Sequence, residues 1–163
     1  MTPAARFEEL FRSHYRDVHR YALRRTDPAM AEEVANETFM VCWRKLEAVP
    51  DTPLPWLYAV ARKCLANRRR AEARRTDVAD APSAGRDPAD QLAERDAILR
   101  AFTALGERDR EALRLVAWEG LSTADAARAA GTSAPAFAMR LHRARRRLAA
   151  QLDPPLQPLE EPS

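Results

Sequence analysis

The placement of proline most tightly limits what this chain can fold into. The 12 prolines of the 163-residue sequence avoid two long stretches, residues 56–81 and 89–134. Because proline removes a helix hydrogen bond and clashes with the preceding turn, these stretches are free to form helices. Alanine, arginine, leucine and glutamate dominate the composition, and all four favour helices. Valine and isoleucine are few and do not alternate with polar residues, so we predict an all-α fold.

The composition excludes several classes of protein. Only four glycines occur, so a glycine-rich phosphate loop and a dinucleotide fingerprint are both absent. The two cysteines, Cys42 and Cys64, are too few for a disulfide framework or a zinc cluster, and we expect both to be small buried residues. No nucleophile with a base and no paired acid/base set stands out. We therefore predict that the chain is not an enzyme and needs neither a cofactor nor a metal.

The hydropathy pattern indicates where the protein works. No apolar run approaches the roughly 18 residues that a membrane span needs. The first residues lack the apolar core of a signal peptide. Hydrophobic residues make up 46% of the chain, which is enough to build a core. The sequence thus predicts a cytoplasmic protein without membrane insertion.

Apolar residues at helical spacing predict two helical blocks. We expect the helices to cover residues 7–25, 28–46, 55–75, 88–105, 107–119, 123–130 and 134–151. The first domain is then 1–75 and the second is 92–152. Segment 76–91 is predicted to be a flexible acidic linker, because residues 76–99 hold six acids and two arginines. Residues 153–163 are rich in proline and are predicted to be a disordered tail.

Local signals place several helix ends. Asp27-Pro28 is a start signal, with Asp27 as the N-cap and Pro28 in the first turn. Ser122 and Asp125 form a capping box, and Gly120 ends the preceding helix. The inward stripes of the second block are expected to contain Ile98, Ala101, Phe102, Leu105, Leu113, Val116 and Ala117.

The stretch from Ser122 to Ala149 has the pattern of a helix-turn-helix: a short helix, a turn that starts at Gly131, and a longer helix. The longer helix carries basic residues and no acid: Arg140, His142, Arg143, Arg145, Arg146 and Arg147. Arg140, Arg143 and Arg147 share one exposed side, where arginine can bond guanine in the major groove or hold phosphate. The alternative is a solvated face that complements the helix C-terminus. The missing counter-charge favours DNA.

The third helix has a second basic surface. Residues 62–75 contain seven basic residues and one acid, and Trp56 and Tyr58 lie at the other end of the same helix. Basic residues along a backbone, with aromatic rings that stack on bases, would suit single-stranded or melted DNA. The alternative is that Trp56 belongs to the core and the arginines are solvated. Two basic patches joined by an acidic linker favour the DNA interpretation.

Two other functions fit parts of the pattern. A free-standing helix-turn-helix regulator would bind operator DNA as a dimer, but this function leaves the first basic block unexplained. An adaptor whose helices bind an inhibitory protein is the third interpretation, and it is compatible with a role in transcription.

Three ordered motifs then identify a resemblance that covers residues 5–152. They are AEEVANETF at 31–39 with Trp43, LPWLYAVAR at 54–62 with Asn67, and RLHRARRRL at 140–148. The chain resembles the extracytoplasmic-function group of bacterial sigma factors, the small two-domain members of the sigma-70 family. The resemblance implies two helical domains, with core RNA polymerase and promoter DNA as partners. Such sigma factors are commonly held by an anti-sigma factor, which is a further partner to expect.

The resemblance also implies roles for single residues. Those that match the polymerase-binding helix are Glu33, Asn36, Glu37, Thr38, Phe39 and Trp43. Those that match the minus-ten DNA surface, together with the loop at 47–55, are Trp56, Arg62, Lys63 and Asn67. Those assigned to minus-thirty-five DNA are Arg140, His142, Arg143 and Arg147. The acidic linker would lie in the RNA path of the polymerase.

Two positions depart from the family pattern. Many members have asparagine where this chain has Lys63, which implies a different minus-ten preference. The early recognition helix usually carries a lysine or arginine followed by serine, but Ala138 and Met139 stand there. Direct reading of bases at the minus-thirty-five element is therefore expected to be poorer.

Overall fold

The computed structural model describes residues 1–75 and 92–152, and these two ranges contain helices and no strand. The all-α prediction is confirmed. The predicted linker 76–91 and tail 153–163 lie outside the described residues. The α-helices are α1 (Pro3–Leu23), α2 (Pro28–Arg44), α3 (Pro53–Arg75), α4 (Leu92–Thr103), α5 (Glu107–Ala117), α6 (Thr123–Ala130) and α7 (Ala134–Leu152).

Several predicted helix boundaries are wrong by a few residues. Helix α2 stops at Arg44, because a 3₁₀ turn over Leu46–Ala48 takes over before the proline-rich segment. Helix α3 starts at Pro53, so the predicted loop 47–55 is reduced to residues 49–52. Proline is tolerated in a first helical turn, where the missing N–H has no helical partner. Helix α5 ends at Ala117, two residues before the predicted end.

Side-chain caps start at least four of the described helices, and three of them lie at α1, α2 and α6. The Asp27 side chain accepts a hydrogen bond from the Met30 backbone N–H at 3.0 Å, as the start signal predicts. Ser122 accepts from the Asp125 N–H at 3.1 Å, and Thr2 caps α1 in the same way. Each cap satisfies a backbone donor that would otherwise lack a partner. The cap predictions for α2 and α6 are confirmed.

Helices α1, α2 and α3 pack into the first domain. Its core is made of residues that the sequence stripes predicted, including Val18, Leu57 and Phe39. Cys42 and Cys64 are buried free thiols, as expected. Burial raises the pKa of both thiols above the ordinary value, and therefore keeps them protonated. None of the helices in the described ranges is long and apolar enough to cross a membrane.

The core of the second domain differs from the predicted stripes. Ile98 is half exposed, and Ala117 faces solvent. The inner face of α5 instead passes through Asp109, Ala112 and Leu115. Asp109 can turn inward because Arg147 of α7 donates a hydrogen bond to its carboxylate. Because this inner face contains a buried acid, the pattern of hydrophobic residues did not predict it.

The two domains are joined by buried ion pairs, in what we call the docked arrangement. Arg25, just after α1, donates to Glu111 of α5 through Nε at 2.8 Å and to Glu119 through Nη2 at 3.2 Å. Tyr21 donates through its hydroxyl to Glu111 at 3.1 Å, and its ring lies 3.6 Å from the Arg25 guanidinium carbon. Helix α3 also packs directly on α6.

Water scarcely reaches this network. The side chains of Arg25 and Glu119 are 2% and 0% exposed. Burial disfavours the charge on Arg25, but Tyr21 and the two glutamates outweigh it and raise the pKa of Arg25. Burial, followed by Glu111, raises the pKa of Tyr21, so its hydroxyl stays a donor. Removing one partner of such a buried pair leaves an uncompensated charge, which costs about 3–5 kcal/mol.

We expect Arg25→Met to open the docked arrangement. The substitution keeps much of the side-chain volume, but it removes the closest cation of Glu111 and leaves Glu119 with its ion pair to Arg24, so the docked arrangement should lose about 3–5 kcal/mol. Small-angle scattering of the full chain should then show a larger radius of gyration than that of the wild type. Arg16→Met, at an exposed position of α1, is the control and should leave the radius unchanged. An unchanged radius for Arg25→Met would contradict the role of this network.

We also expect Gly131→Ala to destabilise the second domain by about 1–2 kcal/mol. Gly131 ends α6 with φ +70°, a conformation that residues with a Cβ rarely adopt. The control is Gly106→Ala, where φ is −63° and the added Cβ would meet nothing within 4 Å. At Gly131 the added Cβ would also lie 2.9 Å from Arg62 Nη2, but this is the end of a flexible side chain that can move. Thermal unfolding should show a clear loss for the first variant and a loss of only a few tenths of a kcal/mol for the second. Equal effects would be inconsistent with a backbone cause.

Candidate polymerase and DNA-binding surfaces

An aromatic groove opens on the surface of the first domain, between α1 and α2. It encloses about 400 Å³ and is lined mainly by Phe7, Phe11, Phe39, Met40 and Trp43. The Phe7 and Trp43 rings are 5.2 Å apart in an edge-to-face contact, and those of Phe11 and Phe39 are 5.0 Å apart. Met40 is 61% exposed and Trp43 is 50% exposed. Apolar surface of this kind, in one patch, is typical of a binding site.

The predicted polymerase-binding residues divide into three groups around this groove. Asn36 and Trp43 line it, and Asn36 accepts a hydrogen bond from the Tyr15 hydroxyl at 3.1 Å. Glu33 and Glu37 lie on α2 and are paired with Arg68 of α3.

Thr38 and Phe39, the remaining two, are buried. The Thr38 hydroxyl donates to the Val34 carbonyl at 2.7 Å, so this side chain supports the helix from inside. Phe39 reaches the groove with one ring edge while its body packs in the core. Thr38 is fully buried in the described conformation, and its expected role in polymerase binding stays a prediction.

Helix α3 separates its predicted DNA-binding residues onto two faces. Lys63 and Asn67, one turn apart, are both exposed, and Asn67 accepts a hydrogen bond from Arg70. Trp56 is half buried against the core of the first domain. Arg62 points the other way, where its Nε donates to the Ala129 carbonyl of α6 at 3.2 Å. The structure therefore brings Lys63 and Asn67 together and places Arg62 apart from them.

The helix-turn-helix forms as predicted, with α6, a turn over residues 131–133, and α7. Ser133 starts α7 by accepting a hydrogen bond from the Ala136 N–H at 3.3 Å. On one face of α7 the side chains of His142 and Arg143 are exposed, and neither has a partner among the residues that the structure describes.

The other two residues assigned to minus-thirty-five DNA differ: one has a carboxylate partner, and the other faces the cleft between the domains. Arg147 donates to Asp109 of α5. Arg140 is half buried and lines a cleft between the two domains, together with Arg62. The sequence could not show this placement, because the two arginines lie 78 positions apart and meet only through the docked arrangement.

Sequence reasoning also missed three residues of the aromatic groove. Phe7 and Phe11 on α1 and Met40 on α2 were not assigned to any site, yet they form much of its lining. The available signal was the spacing of Phe7 and Phe11, which puts both rings on the same helix face. No group of three or more histidine, cysteine, aspartate or glutamate side chains in the described ranges is placed to hold a metal.

Comparison with known proteins agrees with this division into two domains. Residues 10–75 match the family model for sigma-70 region 2, and residues 95–148 match the model for sigma-70 region 4. Two solved structures share the fold. The sigma factor RpoE of Bartonella quintana, in complex with the anti-sigma factor NepR, has a TM-score of 0.70 at 24% identity, over 90% of this chain and 96% of that one. CnrH, in complex with the cytosolic domain of CnrY, has a TM-score of 0.62 at 23% identity, over 90% of this chain and 87% of that one.

A protein of similar sequence narrows the family to one group. The ECF RNA polymerase sigma factor SigL of Mycobacterium tuberculosis (strain H37Rv) is 32% identical over 155 residues. The match covers 89% of this chain and 88% of SigL. Because this similarity extends along most of both proteins and the two region models match in order, the chain belongs to the extracytoplasmic-function group of the sigma-70 family of RNA polymerase sigma factors.

Proposed function

We propose that this sigma factor divides promoter recognition between its two domains. Residues 1–75 bind core RNA polymerase and the minus-ten element, and residues 92–152 bind the minus-thirty-five element. The observation that carries the proposal is the separation of surfaces: the exposed aromatic groove lies on the first domain, and the exposed basic face of α7 lies on the second. A protein that works on core polymerase acts in the cytoplasm, and we extend the proposal to that location.

The aromatic groove is the docking surface for polymerase in this proposal. Aromatic residues and methionine are enriched at the centre of protein interfaces, where they bury a large area. Glu33 and Glu37 stand beside the groove and form ion pairs with Arg68 at the surface. Because exposed pairs of this kind contribute little to stability, a basic partner can replace Arg68 at small cost.

The exposed face of α3 is proposed to hold the minus-ten element. Lys63 and Asn67 offer a cation and an amide on adjacent turns, so they can contact a phosphate and the edge of an unpaired base. Trp56 lies on the same helix and can provide an aromatic surface for stacking. Such contacts offset part of the unstacking cost, which is a few kcal/mol for each base that leaves the duplex.

The face of α7 with His142 and Arg143 is proposed to enter the major groove of the minus-thirty-five element. A guanidinium without a protein partner can form two hydrogen bonds with guanine, while neighbouring arginines hold phosphates. Ala138 and Met139 offer no charge at the start of the helix. Recognition therefore depends on fewer base contacts and more on phosphate, and we expect a steep dependence on salt.

The docked arrangement brings together two arginines that are assigned to different promoter elements. The elements lie about 25 base pairs apart, or roughly 85 Å at ~3.4 Å per pair. Arg62 and Arg140, which are assigned one to each element, instead line one cleft. We infer that the domains separate when the protein binds a promoter on polymerase. The solved complexes of RpoE with NepR and of CnrH with CnrY support the proposal that an anti-sigma factor also binds this chain.

A free-standing regulator that binds an operator as a dimer is not supported. The first domain matches sigma-70 region 2 over residues 10–75, and the regulator function gives this domain no task. A helical adaptor for an inhibitory protein is compatible with the proposed function, since an anti-sigma factor is such a protein.

We expect Trp43→Ala to weaken binding to core polymerase by at least about 30-fold, because loss of a central aromatic anchor typically costs ~2 kcal/mol or more. Binding of the full chain to core enzyme can be followed by co-elution and by surface plasmon resonance. Leu23→Ala is the control, since Leu23 is an exposed apolar residue of the same domain outside the groove. Near-normal binding by Trp43→Ala, with an unchanged melting temperature, would contradict the docking assignment.

We expect Arg143→Ala to weaken recognition of the upstream element by about 1–3 kcal/mol if this arginine reads a base. Run-off transcription with the reconstituted holoenzyme should fall on a promoter that has its native upstream element. It should fall little where that element is scrambled. The control is Arg95→Ala, at an exposed arginine of α4 in the same domain. Normal transcription from the native promoter would refute this role for Arg143.

A further inference from the structure

The cleft between the two domains encloses a basic cavity of about 460 Å³. Its walls include Tyr21, Leu65 and Phe137, so part of the surface is apolar. Five guanidinium groups also line it, from Arg25, Arg62, Arg69, Arg108 and Arg140. A volume of this size is typical of a small-molecule site and is far too small for a duplex.

The acids that the described residues place in this cavity do not neutralise its arginines. Glu107 and Glu111 are the acidic residues of that described lining, so its five arginines exceed its acids by three. Glu111 is already bonded to Arg25, and Glu107 is bonded to Arg110 outside the cavity. Burial alone would raise the pKa of Glu107. The Arg110 hydrogen bond and nearby arginines, Arg69 among them, lower that pKa instead.

Four of these arginines keep N–H donors that have no acceptor in the described part of the chain. Arg108 and Arg140 have no hydrogen-bond or ion-pair partner there. Arg62 uses Nε on the Ala129 carbonyl, and Arg69 uses Nη2 on the Arg25 carbonyl, so each has further donors. These donors come from α3, α5 and α7, and therefore from both domains.

We propose that this cavity binds a compact anion with at least two linked phosphate groups. Arginine matches phosphate well because its planar donors can bond two oxygens at once. A single phosphate fills only a small part of a cavity of about 460 Å³, whereas a chain of phosphates can bridge donors on all three helices. Inorganic polyphosphate and the phosphate end of a nucleotide share this chemistry, and the apolar walls give a nucleoside a place to pack.

The ligand would also favour the docked arrangement, because it bonds both domains at once. This consequence rests on the proposed function, in which Arg62 and Arg140 contact promoter DNA. A bound phosphate chain occupies the same donors and holds the domains together. It should therefore compete with the promoter, while the binding itself depends only on the cavity.

Titration calorimetry with sodium tripolyphosphate on the free full-length chain tests the proposal. We expect binding at a single site, weakened at least tenfold by Arg108→Ala and by Arg69→Ala. Neither residue is assigned to promoter or polymerase. Arg16→Ala removes an exposed arginine outside the cavity and should bind as the wild type does. No binding of tripolyphosphate, or equal weakening by Arg16→Ala and Arg108→Ala, would overturn the proposal.

Further arms of the titration identify the ligand. Inorganic phosphate should bind at least tenfold more weakly than tripolyphosphate, and equal binding would contradict the need for linked phosphates. Tighter binding of guanosine or adenosine diphosphate than of inorganic pyrophosphate would support a nucleotide, and equal binding would support a phosphate chain alone. Because these measurements use no polymerase and no DNA, their failure is distinct from a failure of the Trp43→Ala or Arg143→Ala tests.

Discussion

The burial of one guanidinium determines how the two domains contact each other. Arg25 lies just after the end of α1, and its ion-pair partners among the described residues are two carboxylates of the other domain. Because a buried cation cannot lose its partners without gaining water, partial separation of the domains is unfavourable. The ion pairs of Arg25 are therefore either formed and shielded from water, or broken and hydrated. This contact therefore acts as a two-state joint at an interface where the buried apolar residues of both domains form one continuous cluster.

The same contact between the domains determines which basic residues are exposed to a partner. In the docked arrangement α3 keeps Lys63 and Asn67 on the outside, while Arg62 is turned toward α6. Helix α7 likewise keeps Arg143 outside and turns Arg140 into the cleft. Each domain thus divides its basic residues between a face that is always accessible and a face that opens only on separation. Promoter binding on polymerase would expose the basic residues of the second face. Ligand binding in the cleft would keep them covered.

Much of the fold could be predicted because its signals are local. Asp27 and Ser122 cap helix starts with their own side chains. The buried apolar residues of α1, α2 and α3 follow helical spacing. The inner face of α5 could not be predicted, since Asp109 is buried only because Arg147 reaches it from another helix. The cleft was equally hidden, because Arg62 and Arg140 meet through packing between domains. The motifs predicted where the candidate sites lie in the sequence. Tertiary structure was needed to show which of their residues are exposed, which are buried and which bond to other side chains.

The two cysteines have a practical consequence. A thiol reacts as its thiolate, and burial holds Cys42 and Cys64 in the protonated form inside the first domain. Thiol-directed alkylating reagents should therefore react slowly with the folded chain. A cysteine introduced on the surface would be the preferred target of a maleimide dye, with both natural ones left in place. Spectroscopic labels could in this way be attached to each domain to follow their separation in real time.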